Sequence, residues 1–124
     1  MYCLGPEHIF PPVQLADAHG LLAVGGDLSP ERLIAAYRLG IFPWYAAGDP
    51  LLWWFTSPRL ILIPKEFHLP KRLAREIRGR RFRVTFDHAF EEVITACSTC
   101  RSEIGEETWI TQEMQAAYCR LHRL

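Results

Sequence analysis

From position 30 onward the apolar residues Leu33, Ala36 and Tyr37 recur at i, i+3 and i+4, the spacing that lines one face of a helix. Ser29 is a natural N-cap, and Pro30 suits the first helical position, where its missing N–H would have no intrahelical partner. Gly40 can take the left-handed conformation that closes a last turn, so a short, sharply bounded helix is predicted. Ile41, Phe42, Pro43, Trp44 and Tyr45 follow at once. They form an aromatic elbow on a proline of fixed φ, which holds a large flat side chain on a stiff connection. Upstream, Pro6, Pro11 and Pro12 interrupt any periodicity and predict an extended arm as far as the turn at Gly25 and Gly26. Downstream, Leu51, Leu52, Trp53, Trp54 and Phe55 make an unbroken apolar run that is expected to be buried.

Beyond Pro58 the period changes. Residues 59–63 (RLILI) and 82–86 (FRVTF) alternate with period two and predict two strands, antiparallel to each other. Between them, Pro70 opens and Gly79 closes a predicted helix over 70–78. Asp87 is a suitable N-cap for a further helix that buries Phe90, Val93, Ile94 and Cys97. Thr111 caps a last one over 112–121, with Met114, Ala117, Tyr118 and Leu121 on one face. This order predicts an α+β fold, with a small N-terminal domain over 1–57 and the first portion of a second domain over 58–124. The second half reads as incomplete, because strand–helix units need further strands before a sheet is stable on its own.

Composition changes little in that picture. Of the 124 residues 49% are hydrophobic, which excludes a disordered chain. Fourteen Lys and Arg balance fourteen Asp and Glu, so overall charge points to no polyanion. The N-terminus lacks a basic, apolar leader, and no run approaches the ~20 apolar residues that span a bilayer. A soluble, cytoplasmic protein with no membrane partner is expected, its cysteines reduced.

Local charge says more. On the helix over 70–78, Lys71, Arg75 and Arg78 fall at i, i+4 and i+7 and share one narrow face, while Leu73 and Ile77 share the opposite one. Arg72, Arg80, Arg81 and Arg83 extend the positive charge, and Glu76 alone opposes it. A face that merely meets water usually mixes signs into i,i+4 pairs; clustered cations repel until a polyanion neutralises them. Trp44 and Trp109 each sit on a short turn beside polar residues. Aromatic planes with a cationic track are the means by which proteins hold single-stranded nucleic-acid ends. Ordinary core packing of the aromatics and a merely solvated helix face are the competing readings.

Cys97-x2-Cys100 followed by Cys119-x2-His122 has the spacing of a tetrahedral zinc site. Against that, Cys97 and Cys119 fall beside apolar positions, where a thiol packs without a metal. No H-E-x-x-H, Gly-rich phosphate loop or nucleophile motif occurs, so the residues contain no complete active site.

The segments GLLAVGGDLSPERLIAAYRLGIFPWY, GDPLLWW, SPR, FRVTFDHAFEEVITAC and ETWITQEMQAAYCRLH, in this order and at these separations, resemble the leucyl/phenylalanyl-tRNA-protein transferases. The resemblance implies a small N-terminal domain followed by a GNAT-like acyltransferase domain, here apparently truncated. It implies transfer of leucine or phenylalanine from aminoacyl-tRNA to the N-terminal arginine or lysine of an acceptor protein, marking it for the N-degron pathway. It also implies that Trp44 and Trp109 hold the terminal adenosine, that Tyr118 lies near the aminoacyl ester, and that Lys71, Arg75 and Arg78 grip the tRNA body. No metal or other cofactor is implied, and a monomer is expected. The family's catalytic carboxylate is expected beyond Leu124, so these residues alone are not expected to catalyse transfer. A stand-alone tRNA-binding module and a zinc-stabilised structural domain are the alternatives.

Overall fold

The N-terminal residues are tied into a sheet, although nothing in their sequence announces a strand. In the computed structural model, which describes residues 2–103 and 108–124, β1 (Tyr2–Leu4) pairs in parallel with β2 (Leu21–Gly25). The chain then turns through Gly26, whose φ is +79°; a Cβ there would stand 2.9 Å from Arg32 Cζ, so both space and backbone require glycine. Ser29 caps α1 (Pro30–Arg38), its Oγ accepting the Arg32 N–H at 3.4 Å. Gly40 at φ +73° ends the helix. Its N–H donates to the Tyr37 carbonyl at 3.0 Å and the Ile41 N–H to the Ala36 carbonyl at 2.9 Å, the paired bonds of a Schellman cap. The chain is thereby aimed into β3 (Phe42–Pro43), which pairs antiparallel with β4 (Leu52–Trp54). The sheet order is β1-β2-β4-β3.

The apolar run at 51–55 is a strand with one buried face, not a uniformly buried segment. Trp53 alone is fully buried; Leu51, Leu52, Trp54 and Phe55 are partly exposed. Trp53 packs edge-on against Phe10 at 4.9 Å and donates its indole N–H to the Gly25 carbonyl at 2.9 Å. Leu22, Leu33, Ala36 and Ile41 complete this core. Beneath the β2–α1 turn lies Arg32, fully buried, with its guanidinium donating to the Gly5 carbonyl at 2.7 Å and to Asp27 Oδ2 at 3.3 Å. Burial pushes the Asp27 carboxyl up, but hydrogen bonds from Ser29 and the nearby Arg32 charge outweigh it and hold the group down at about 2.

By internal contacts the chain falls into two compact units, Met1–Ser57 with Phe90–Leu124, and Pro58–Ala89. Pro58–Ala89 contains a 3-10 turn (Pro64–Glu66) and α2 (Lys71–Gly79). Neither of the strands expected at 59–63 and 82–86 forms. A strand is made by the ladder on its neighbour, and α2 satisfies its backbone internally and offers no edge. The helix also ends later than Gly79 suggests. The left-handed residue is Arg80, at φ +49°, whose N–H donates to the Ile77 carbonyl at 3.2 Å.

In the larger unit, α3 (Phe90–Glu103) and α4 (Gln112–His122) pack on each other, and α4 packs on α1. Asp87, the expected cap, sits in the left-handed region at φ +56°, a conformation that Asp tolerates, and α3 begins only at Phe90. Thr111 does cap α4, its Oγ1 accepting the Met114 N–H at 3.2 Å. Met114 and Ala117 are buried against the core, whereas Val93 and Cys97, expected inside, are exposed. The result is a mixed α+β architecture.

Candidate functional site

Trp44 is carried on a doubly pinned backbone. Its N–H donates to the Leu52 carbonyl at 3.0 Å, and its own carbonyl accepts the Trp54 indole N–H at 2.7 Å. Pro43 and Tyr45 on either side are buried, so the Trp44 side chain is turned outward and is 51% exposed. Tyr45 is anchored in turn by its hydroxyl, which donates to Glu113 Oε2 at 3.2 Å on α4. Burial raises the Tyr45 phenol, so it stays a neutral donor.

Trp44 and Trp109 line the same cleft, of about 400 Å³. Trp54 forms another wall, with its ring centroid 6.1 Å from that of Trp44 and the planes tilted by 57°. Asp49 and Thr108 supply polar groups at the rim. Trp109 is fixed from below by a local turn in which Thr108 Oγ1 accepts the Ile110 N–H at 3.1 Å. A volume in the ~300–1,000 Å³ range, aromatic walls and a few polar atoms describe a site for a flat, partly polar ligand.

Trp109 also lines a second cavity of about 200 Å³, together with Phe90, Ile94, Met114 and Tyr118 among others. Tyr118 projects from α4, and its hydroxyl is hydrogen-bonded to that of Tyr37 on α1. The two rings meet edge-on with centroids 6.4 Å apart. Burial first, and then the Tyr37 hydroxyl, push the Tyr118 phenol well above its ordinary value. The phenol therefore stays neutral near neutral pH.

Thus the larger unit brings Trp44 and Trp109 onto one cleft and puts Tyr118 in the cavity that adjoins it through Trp109. Lys71, Arg75 and Arg78 belong to Pro58–Ala89 and are all exposed on α2. Glu76 pairs with Arg81 at 3.8 Å, outside that stripe. Among the described residues no group of three or more His, Cys, Asp or Glu could hold a metal ion. Cys97 and Cys100 are exposed, and the His122 ring stacks on Phe90 at 4.4 Å.

Sequence reasoning misses three contributors. Its helical spacing places Tyr37 beside Leu33 and Ala36, yet Tyr37 is 48% exposed and holds the Tyr118 hydroxyl. The usable signal is its polar end, which a purely apolar helix face leaves without a partner. Trp54 is hidden in the apolar run, where alternation along β4 turns it away from Trp53. Asp49 reads as a turn residue only.

Two family models match the chain. That of the leucyl/phenylalanyl-tRNA protein transferase N-terminal domain matches residues 26–57, and that of the leucyl/phenylalanyl-tRNA protein transferase matches residues 61–124. The chain belongs to this family. Relatives carrying the name leucyl/phenylalanyl-tRNA–protein transferase include one from Magnetococcus marinus, 56% identical over all of this chain and 52% of its own length. Another, from Desulfatibacillum aliphaticivorans, is 55% identical over 99% of this chain and 53% of its own length. A third, from Chromohalobacter salexigens, is 57% identical over 94% of this chain and 47% of its own. The chain therefore spans about half the length of the curated relatives it matches. No helix among the described residues is long and apolar enough to cross a membrane.

Proposed function

We propose that this chain forms the aminoacyl-tRNA-holding part of an aminoacyltransferase. The full reaction moves leucine or phenylalanine from aminoacyl-tRNA to the N-terminal arginine or lysine of acceptor proteins, in the cytoplasm and as a step of the N-degron pathway. The observation that carries this reading is the cleft shared by Trp44, Trp54 and Trp109, with Tyr118 in a second cavity that Trp109 also lines.

In this reading Trp44 and Trp109 hold the terminal adenine by stacking, each ring contributing roughly 1–3 kcal/mol. Asp49 and Thr108 meet the polar edge of the nucleoside. Tyr118, steadied by Tyr37, meets the aminoacyl ester as a neutral hydrogen-bonding group. The ester is already activated: the deprotonated α-amine of the acceptor attacks its carbonyl carbon, a C–N bond forms, and the ribose oxygen leaves and takes up a proton. Positioning ester and amine together supplies much of the acceleration. Lys71, Arg75 and Arg78 neutralise phosphates of the tRNA body. Residues 58–124 belong to a GNAT-like acyltransferase domain that follows an N-terminal domain over 1–57, and the protein acts as a monomer.

The test is equilibrium binding of leucyl-adenosine with a stable amide in place of the ester. The wild-type chain is expected to bind it, and Trp44→Ala to weaken binding by about 2 kcal/mol, the middle of the stacking range. Equal affinity in both would overturn the assignment of the cleft.

A further inference from the structure

Exposed side chains hop between rotamers within nanoseconds, yet a ring that is to stack on a base binds best when it already stands in place. Trp44 is such a ring, half-exposed and one residue beyond a strand of only two residues. Pro43 fixes its own φ and leaves the torsions of Trp44 free. The bond from the Trp44 N–H to the Leu52 carbonyl holds one end of the residue. Its other end is held by a side chain.

That side chain comes from β4. Phe42 lies directly opposite Trp54 in the antiparallel register, so Trp44, two residues on, is the diagonal neighbour on the same face, within reach of a large side chain. The Trp54 indole N–H crosses the diagonal and donates to the Trp44 carbonyl at 2.7 Å, while the two rings meet with centroids 6.1 Å apart. The first contact fixes the carbonyl, and with it the direction in which the Trp44 side chain leaves the backbone. The second limits rotation of the Trp44 indole about its own bonds. With the planes tilted by 57°, a base lying flat on Trp44 cannot also lie flat on Trp54, so Trp54 does not extend the stack. The adjacent Trp53 makes the matching bond inside, to the Gly25 carbonyl at 2.9 Å. Alternation along β4 thus gives two consecutive indoles to two different carbonyls, one in the core and one beneath the site.

We propose, resting on the adenosine reading of this cleft, that Trp54 is a positioning residue: through its N–H bond to the Trp44 carbonyl it holds the Trp44 ring ready for the base, and it contributes to adenosine binding by way of Trp44. A wall acts through its surface, whereas this clamp acts through one N–H. The two are separable.

The test replaces Trp54, by site-specific incorporation, with the benzothiophene isostere of tryptophan, in which sulfur stands in place of the N–H. Shape and apolar surface stay, and the donor goes. One readout needs no ligand: the order parameter of the Trp44 indole N–H from nitrogen-15 relaxation, expected at about 0.8 in the wild-type chain and below about 0.6 in the isostere. The other is affinity for amide-linked leucyl-adenosine, expected to drop about three- to tenfold, within the range for one side chain that must be ordered on binding. In a Trp44→Ala background the same replacement should change affinity by less than about twofold, because the residue it acts through is gone. Trp54→Phe, which also lacks the donor, should lose affinity in the first background and not in the second. An isostere that binds as tightly as the wild-type chain would overturn the proposal. So would an unchanged Trp44 order parameter, or a loss that persists undiminished in Trp44→Ala, where Trp54 would be touching the ligand itself. Should Trp44→Ala alone leave affinity unchanged, the adenosine reading of the cleft fails; the ligand-free order parameter then still decides whether Trp54 holds the ring.

Discussion

In the unit formed by Met1–Ser57 and Phe90–Leu124, Leu22, Leu33, Ile41, Trp53 and Met114 are fully buried, whereas none of the residues of Pro58–Ala89 is. Both regions have patterned apolar positions and capped or bounded helices. In the first, the pattern meets a partner: Trp53 meets Phe10, α4 meets α1, and the Arg32 guanidinium meets Gly5 and Asp27. In the second it meets water. Hydrophobic periodicity thus states which face an element is to bury, while the covering surface lies elsewhere in the chain or outside it.

The largest effects should separate the two regions by stability. Trp53→Ala removes a fully buried ring and is expected to destabilise the chain by about 3–5 kcal/mol in denaturant unfolding. Phe86→Ala in the other unit should change the same midpoint by less than about 0.5 kcal/mol, as for an exposed site. Comparable losses at both positions would erase the contrast. Arg32→Ala removes a buried guanidinium that bonds the Gly5 carbonyl and the half-exposed Asp27 carboxylate, and should cost about 2 kcal/mol.

Asp27 sharpens the same clamp through pH. Its folded value lies near 2, below the ~3.9 of an unfolded aspartate. The stabilisation is therefore fully present above about 4 and is lost as pH falls through about 2. Unfolding free energies measured across that window should fall in the wild-type chain and fall less steeply in Asp27→Asn. Parallel curves would show that the carboxylate contributes nothing to the clamp.

For Pro58–Ala89 the prediction concerns charge. Arg75→Glu with Arg78→Glu should weaken tRNA binding and reduce the slope of log affinity against log salt by roughly 1 for each phosphate that is no longer neutralised. An unchanged slope would remove α2 from the interface. The smallest effect is at the tyrosine pair. Tyr37→Phe leaves Tyr118 without its hydroxyl partner and should lower affinity for an aminoacylated ligand by about 0.5–1.5 kcal/mol, with less effect on stability.

Local signals are readable in the sequence. The Ser29 and Thr111 caps and the Gly40 exit each act within a few residues, and each makes the expected bonds. Non-local ones are not. β1 has no strand signature because its pairing is made by β2, far along the chain. The segments 59–63 and 82–86 have the signature without the partner. In the candidate site, the position of Trp44 follows from the Pro43 elbow. Trp54, Asp49 and Tyr37 join the site only when β4, the turn before it and α4 are brought together.

The central claim is that the Trp44 and Trp109 cleft receives the 3′ adenosine of an aminoacyl-tRNA. It is tested most directly by comparing Trp44→Ala with the wild-type chain for binding to stable leucyl-tRNA and to tRNA lacking its terminal adenosine. Trp44→Ala is expected to lose about 1–3 kcal/mol for the first ligand and almost nothing for the second. Equal losses for both ligands, or none for either, would contradict it.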